Sequence, residues 1–116
     1  MPQRTALVFP VMLDPESGVA TAVAGAATLN QVAGKITSEA LTTVAAADYV
    51  LTLTSSMISV GDMVYASVAN GTNTTEGLAI NRVQPAAGSV VIRVRNTHAT
   101  VALNGTVVVS YSVVKA

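Results

Sequence analysis

The sequence predicts an all-β domain: an antiparallel β-sandwich or small jelly-roll-like barrel, preceded by an extended N-terminal arm. Three observations carry this. From about Gly34 onward, β-rich segments recur every dozen or so residues, separated by Gly, Asn, Ser or Pro. Several of them alternate apolar and polar residues with a period of two. No helical window of useful length competes with them after residue 34.

The elements follow in order. The arm is residues 1–34, apolar and irregular, and the β domain is 35–116. In the arm, "DPESG" at 14–18 reads as a turn, because Asp14 initiates it and Pro15 presets φ. The Ala-rich stretch 19–33 could hold a short helix, since alanine is a strong helix former. Its apolar residues form no stripe, so an extended conformation is expected instead. "KITSEALTT" at 35–43 is Thr-rich and β-like. In "YVLTLT" at 49–54, Tyr49, Leu51 and Leu53 share one face. "MVYASVAN" at 63–70 and "LAINRVQP" at 78–85 are the next strands. The turn "PAAGS" leads into "SVVIRVRN" at 89–96, where Val90, Ile92 and Val94 belong in the core and Arg93 and Arg95 outside. In the last strand, 105–114, Val107, Val109, Tyr111 and Val113 form one face. The other face carries Val108 and Val114 among Ser and Thr, so this strand is expected to be covered on both sides. Asn-Gly at 70–71 and at 104–105 is expected to supply the positive-φ residues of tight turns.

Composition points to partners. Twelve residues are formally charged, six of each sign, and 51% are hydrophobic. A folded chain of 11.7 kDa exposes roughly 5,900 Å². Charges are therefore sparse on its surface, and little keeps copies apart. No window offers 18 uninterrupted apolar residues, so a membrane span is not expected. The charge-poor surface is instead expected to be buried against neighbours. The candidate interface residues are Leu7, Val8, Phe9, Val11 and Met12 in the arm, Val108 and Val114 on the last strand, and Arg93 and Arg95.

The inventory argues against catalysis, and the chain is expected not to be an enzyme. It has no cysteine and one histidine, His98, in a loop-like stretch. A nucleophile–base–orienter set and a three-ligand metal centre both need more than this. Asp14 and Glu16 are close in sequence, but as turn residues rather than as walls of a cleft. No Gly-rich segment matches a phosphate cradle. No cofactor or metal is expected. Arg82, Arg93 and Arg95 could meet an acidic partner, but a neutral chain with few aromatics does not suit nucleic acid. The sequons at 70–72, 73–75 and 104–106 are read as turn chemistry.

Residues 34–116 also resemble a family. The segments "GKITSEALTT" (34–43), "YVLTLTSSMI" (49–58), "ASVANGTNT" (66–74), "VQPAAGSVVIRVRNTHATVALNGT" (83–106) and the apolar end "VVVSYSVVKA" carry the likeness. Their order is similar to that in small virion proteins of tailed bacteriophages and prophages, of the head-decoration or head-fibre kind. The resemblance implies a capsid decoration (cement) protein, made in the bacterial host cytoplasm and residing on the capsid surface. It would bind the major capsid protein and copies of itself, as a trimer or a dimer. The alternative is a head-fibre or tail-fibre module that touches a host surface through loops 70–77 and 96–104. The absence of Trp weighs against a carbohydrate platform there.

Overall fold

The computed structural model describes residues 17–115. Eight strands run in the order β1 (Ser17–Thr21), β2 (Ala26–Thr28), β3 (Ala33–Thr37), β4 (Asp48–Thr54), β5 (Met63–Asn70), β6 (Leu78–Ala86), β7 (Ser89–Asn96) and β8 (Val107–Val114). They form two four-stranded sheets, with order β1-β3-β8-β5 in sheet A and β2-β4-β7-β6 in sheet B. This is a small β-sandwich. Its core is a single cluster of inward residues, including Ile36, Val107, Val109 and Tyr111 from sheet A and Leu51, Leu53, Val90, Ile92 and Val94 from sheet B.

The expected faces are observed. Tyr49, Leu51 and Leu53 are buried, as are Val90, Ile92 and Val94. The predicted strands 63–70 and 89–96 coincide with β5 and β7. The sheets are mixed rather than purely antiparallel, because β1 pairs with β3 and β2 with β4 in parallel. Successive strands at the start of the chain alternate between sheets, so strands two apart come to lie side by side pointing the same way.

The expected boundary at residue 34 does not coincide with the sheets. Residues 17–34 are not an irregular arm, nor a helix: they hold β1, β2 and the start of β3. A tight turn links the first two strands. Val23 pairs with Ala26, and the two residues between them both have positive φ, Ala24 at 51° and Gly25 at 79°. That is the pattern of a hairpin turn whose twist matches the strands. The turn "DPESG" and the arm residues Leu7, Val8, Phe9, Val11 and Met12 lie outside the described residues, apart from Ser17 and Gly18, which begin β1.

The Asn-Gly turns also differ from expectation. Neither Gly71 nor Gly105 has positive φ; that conformation occurs at Gly25, Gly61, Gly77 and Gly88. The two N-G-T segments instead interlock. Thr72 N–H donates to Thr106 Oγ1 and Thr106 N–H donates to Thr72 Oγ1, both at 2.9 Å. A Cβ on Gly71 would collide with Thr106 Oγ1, and one on Gly105 would lie 2.5 Å from Thr72 Oγ1. Each glycine makes room for the threonine of the other segment. Around this lock, Asn104 N–H donates to Asn73 Oδ1 (2.9 Å) and Thr74 N–H to Asn104 Oδ1 (2.7 Å).

Two buried tyrosines tie the strands to neighbouring segments. Tyr111 donates to the Gln31 carbonyl at 2.7 Å, and Tyr49 to Glu39 Oε1 at 2.9 Å. Burial pushes the Tyr111 phenol up from 10.0 to about 12. Burial first, then the Glu39 hydrogen bond and charge, push Tyr49 higher still. The folded chain therefore holds these protons more tightly than the unfolded chain does. The resulting stabilisation is complete below pH 10 and is lost as pH rises through the folded values. A thermal-denaturation series from pH 8 to pH 12 should show a falling melting temperature above pH 10. Tyr111→Phe should start lower, for want of its hydrogen bond, and fall less steeply. An equally steep limb in that variant would show that Tyr111 does not cause it.

Candidate functional site

No three of His, Cys, Asp and Glu cluster among the described residues to hold a metal ion. His98 Nδ1 accepts the backbone N–H groups of Thr100 and Val101, both at 3.1 Å. That nitrogen is committed to shaping its own loop. Asn96, fully buried, holds the base of the same loop: its amide donates to the carbonyls of Thr43 (3.2 Å) and Val101 (2.9 Å), and its Oδ1 accepts from His98 N–H (3.0 Å). Three parts of the surface are distinct.

The first is the outer face of sheet A. The register places Val19, Lys35, Ser110 and Ser67 in one row across the four strands. Next to it, Ala33, Ser112 and Tyr65 share a row, with Val114 and Met63 beyond. Small side chains on β8 form the floor, and larger ones rise at the sides. Val19 (78% exposed), Tyr65 (57%), Met63 (52%) and Val114 (45%) are apolar or aromatic groups left in water. Two shallow hollows meet at Ser110, one of about 350 Å³ beside Tyr65 and one of about 300 Å³ beside Val19 and Lys35. Lys35 is the one charged residue that the strand register puts on this face. The expected cover over β8 is thus not supplied by the described residues. Sheet B lies over its inner face, and no described residue lies over its outer face.

The greasy C-terminal strand is central in its sheet, flanked by β3 and β5. Its one charge closes the structure behind it. Lys115 Nζ lies 2.6 Å from the buried Asp62 carboxylate and donates to the Met57 carbonyl at 2.8 Å. This clasp holds the β4–β5 loop against the chain end.

The second part is the outer face of sheet B. Here Arg82 stands directly opposite Arg93 on the neighbouring strand, and Arg95 lies one alternation further along. Asp48 on β4 pairs with Arg95 at 3.3 Å and Arg93 at 3.8 Å.

The third is the loop end. Loops 70–77 and 96–104, the contacts expected of a fibre module, lie side by side. Thr74, Thr75, Glu76, His98, Val101 and Asn104 line a polar hollow of about 340 Å³ between them.

The expected interface residues do not form one patch. Val108 and Val114 lie on sheet A, and Arg93 and Arg95 on sheet B, whose outer faces point away from each other. Val19, Met63 and Tyr65 were not among the expected interface residues. In β5 both alternating sets are partly apolar, so its sequence does not say which set faces water. Comparison with protein-family models, with curated proteins and with solved structures finds no match to this chain.

Proposed function

We propose that the chain is a non-catalytic structural protein of a phage virion. It is a capsid decoration (cement) protein that fastens onto the outer surface of the major capsid protein and onto copies of itself. The observation that carries this reading is the outer face of sheet A, which no described residue covers. Exposed Val19, Tyr65, Met63 and Val114 around a floor of small residues, with a single lysine, are the composition of a surface meant to be covered. The interlocked N-G-T segments and the Lys115–Asp62 clasp tie down the two ends of the β5–β8 pair that carries much of that face. Many copies on one particle would add modest contacts into firm attachment through multivalency. The phage particle in this proposal comes from the resemblance that residues 34–116 carry in sequence to decoration and head-fibre proteins.

A co-sedimentation assay with capsids that lack the protein tests this reading. The full chain is expected to pellet with the capsids. Tyr65→Asp combined with Ser110→Lys, two changes on the exposed face, should fold normally and stay in the supernatant. A folded variant that pellets as well as the parent would remove this face from the interaction.

A second reading has its own observation. Loops 70–77 and 96–104 enclose the polar hollow bearing Glu76 and His98, which suits a fibre module touching a host surface. Capsid binding undisturbed by sheet A variants, with adsorption lost in Glu76→Gln, would favour it.

A further inference from the structure

We propose that the Arg82–Arg93 pair on the outer face of sheet B is a docking site for carboxylates of an acidic protein segment. The pair breaks a rule of sheet design. Like charges directly opposite across neighbouring strands repel, and such pairs lower stability. Here the two guanidinium groups share one cross-strand position.

The backbone is built to put them there. Along β6, Ile80 is paired with Val94 and Arg82 with Arg93, so Asn81 is an extra residue in a β-bulge. With strict alternation Arg82 would fall on the same side as Ile80, toward the core. The bulge resets the alternation, so both Asn81 and Arg82 are exposed. Asn81 then donates to Asp48 Oδ2 at 2.9 Å, which anchors the bulge.

The charges are not balanced within the described residues. Asp48 serves Arg93 and Arg95, at 3.8 and 3.3 Å. Arg82 has no carboxylate partner among them; its guanidinium donates to the neutral Gln84 side chain at 3.0 Å. Opposed side chains on adjacent strands start about 5 Å apart. One carboxylate can therefore accept from both guanidinium forks at once, turning the repulsion into a shared attraction.

An acidic peptide fits better than nucleic acid. The patch holds three arginines, with Asp48 shared between two of them, which is too few to follow a phosphate backbone. The strand register puts no aromatic side chain on this face for bases to stack upon. Binding of a synthetic acidic peptide to this pair does not depend on the chain residing on a capsid.

The experiment is a fluorescence-anisotropy titration of the full chain with a labelled oligo-glutamate peptide at low ionic strength. A single-stranded DNA oligonucleotide of equal charge is the comparison, and thermal melting of each variant is measured alongside. The parent chain is expected to bind the peptide more tightly than the DNA. Arg82→Gln should weaken peptide binding roughly tenfold. Without ligand, the same variant should melt about 1–4 °C higher, because the opposed charges are relieved. Opposite signs in the two readouts identify a binding site maintained at a cost in stability. No peptide binding by the parent, unchanged binding by Arg82→Gln, tighter binding of DNA, or a fall in its melting temperature would each overturn the assignment.

Discussion

Gly105→Ala is expected to destabilise the folded chain by about 3–4 kcal/mol. The new methyl would sit 2.5 Å from Thr72 Oγ1 and 2.8 Å from both the Thr72 carbonyl carbon and the Asn73 nitrogen. A side chain can rotate away, but those two backbone atoms cannot. They belong to the strand-like zipper in which Gly71 N–H and Asn73 N–H both donate to the Thr106 carbonyl, at 2.9 and 3.0 Å. Opening the zipper would also release the loops that Asn73 and Asn104 hold together. Thr72→Ala should therefore rescue little of the loss. The reciprocal site behaves differently. A methyl on Gly71 would collide chiefly with the Thr106 hydroxyl, and its nearest backbone atom is the Thr106 carbonyl oxygen at 3.0 Å. Thr106→Ala should recover a substantial part of the stability lost in Gly71→Ala. Chemical denaturation of the four variants measures this. A Gly105→Ala chain within 1 kcal/mol of the parent would mean that the zipper yields more readily than its geometry implies.

Removing the first two strands is expected to have a larger effect still. Treating residues 1–34 as an arm suggests that deletion of 2–30 leaves a folded domain. The sheets say otherwise. That deletion takes away β1 and β2, one edge strand of each sheet. It also removes the buried Ala22 and Ala27, and it uncovers Ile36 and Leu53 beside them. Leu29, which packs on the core and donates its N–H to the Thr54 carbonyl at 3.0 Å, goes too. The loss should approach the whole stability of a small domain, on the order of 5 kcal/mol or more. A chain of residues 31–116 should show no cooperative melting transition, whereas residues 17–116 keep all the strand pairings of the described residues and should melt cooperatively. A sharp transition in the shorter chain near the parent's temperature would show that β1 and β2 are dispensable after all.

The contrast between these segments explains what could be read from the chain. In "YVLTLT" and "SVVIRVRN" one alternating set is bulky and apolar and the other is polar or charged, so period, face and burial follow together. Residues 17–34 offer Ala, Val, Gly and Thr on both sides of the backbone, and side chains that small do not declare a face. Their hairpin turn uses Ala24 in the left-handed region, where sequence leads one to look for Asn, Asp or Gly. At the N-G-T motifs the glycines were legible as special, but the reason was not. It lies in a partner segment 34 residues away, visible only after the strands are ordered. Arg93 and Arg95 were legible as an outward pair. That Arg82 joins Arg93 depends on one extra residue at Asn81, within a stretch that has no glycine to mark a bulge. The division of the candidate interface between two opposite faces depends on sheet order, which alternation along one strand does not encode.

The proposed fastener role rests on two opposite faces, a nearly uncharged one on sheet A and an arginine-bearing one on sheet B, either side of one core. Quantitative mass spectrometry of virions purified from the host that encodes the chain tests that role most directly. The account predicts the chain in stoichiometry comparable with the major capsid protein. Its absence from the particles, or its presence only in the few copies of a vertex or tail part, would contradict it.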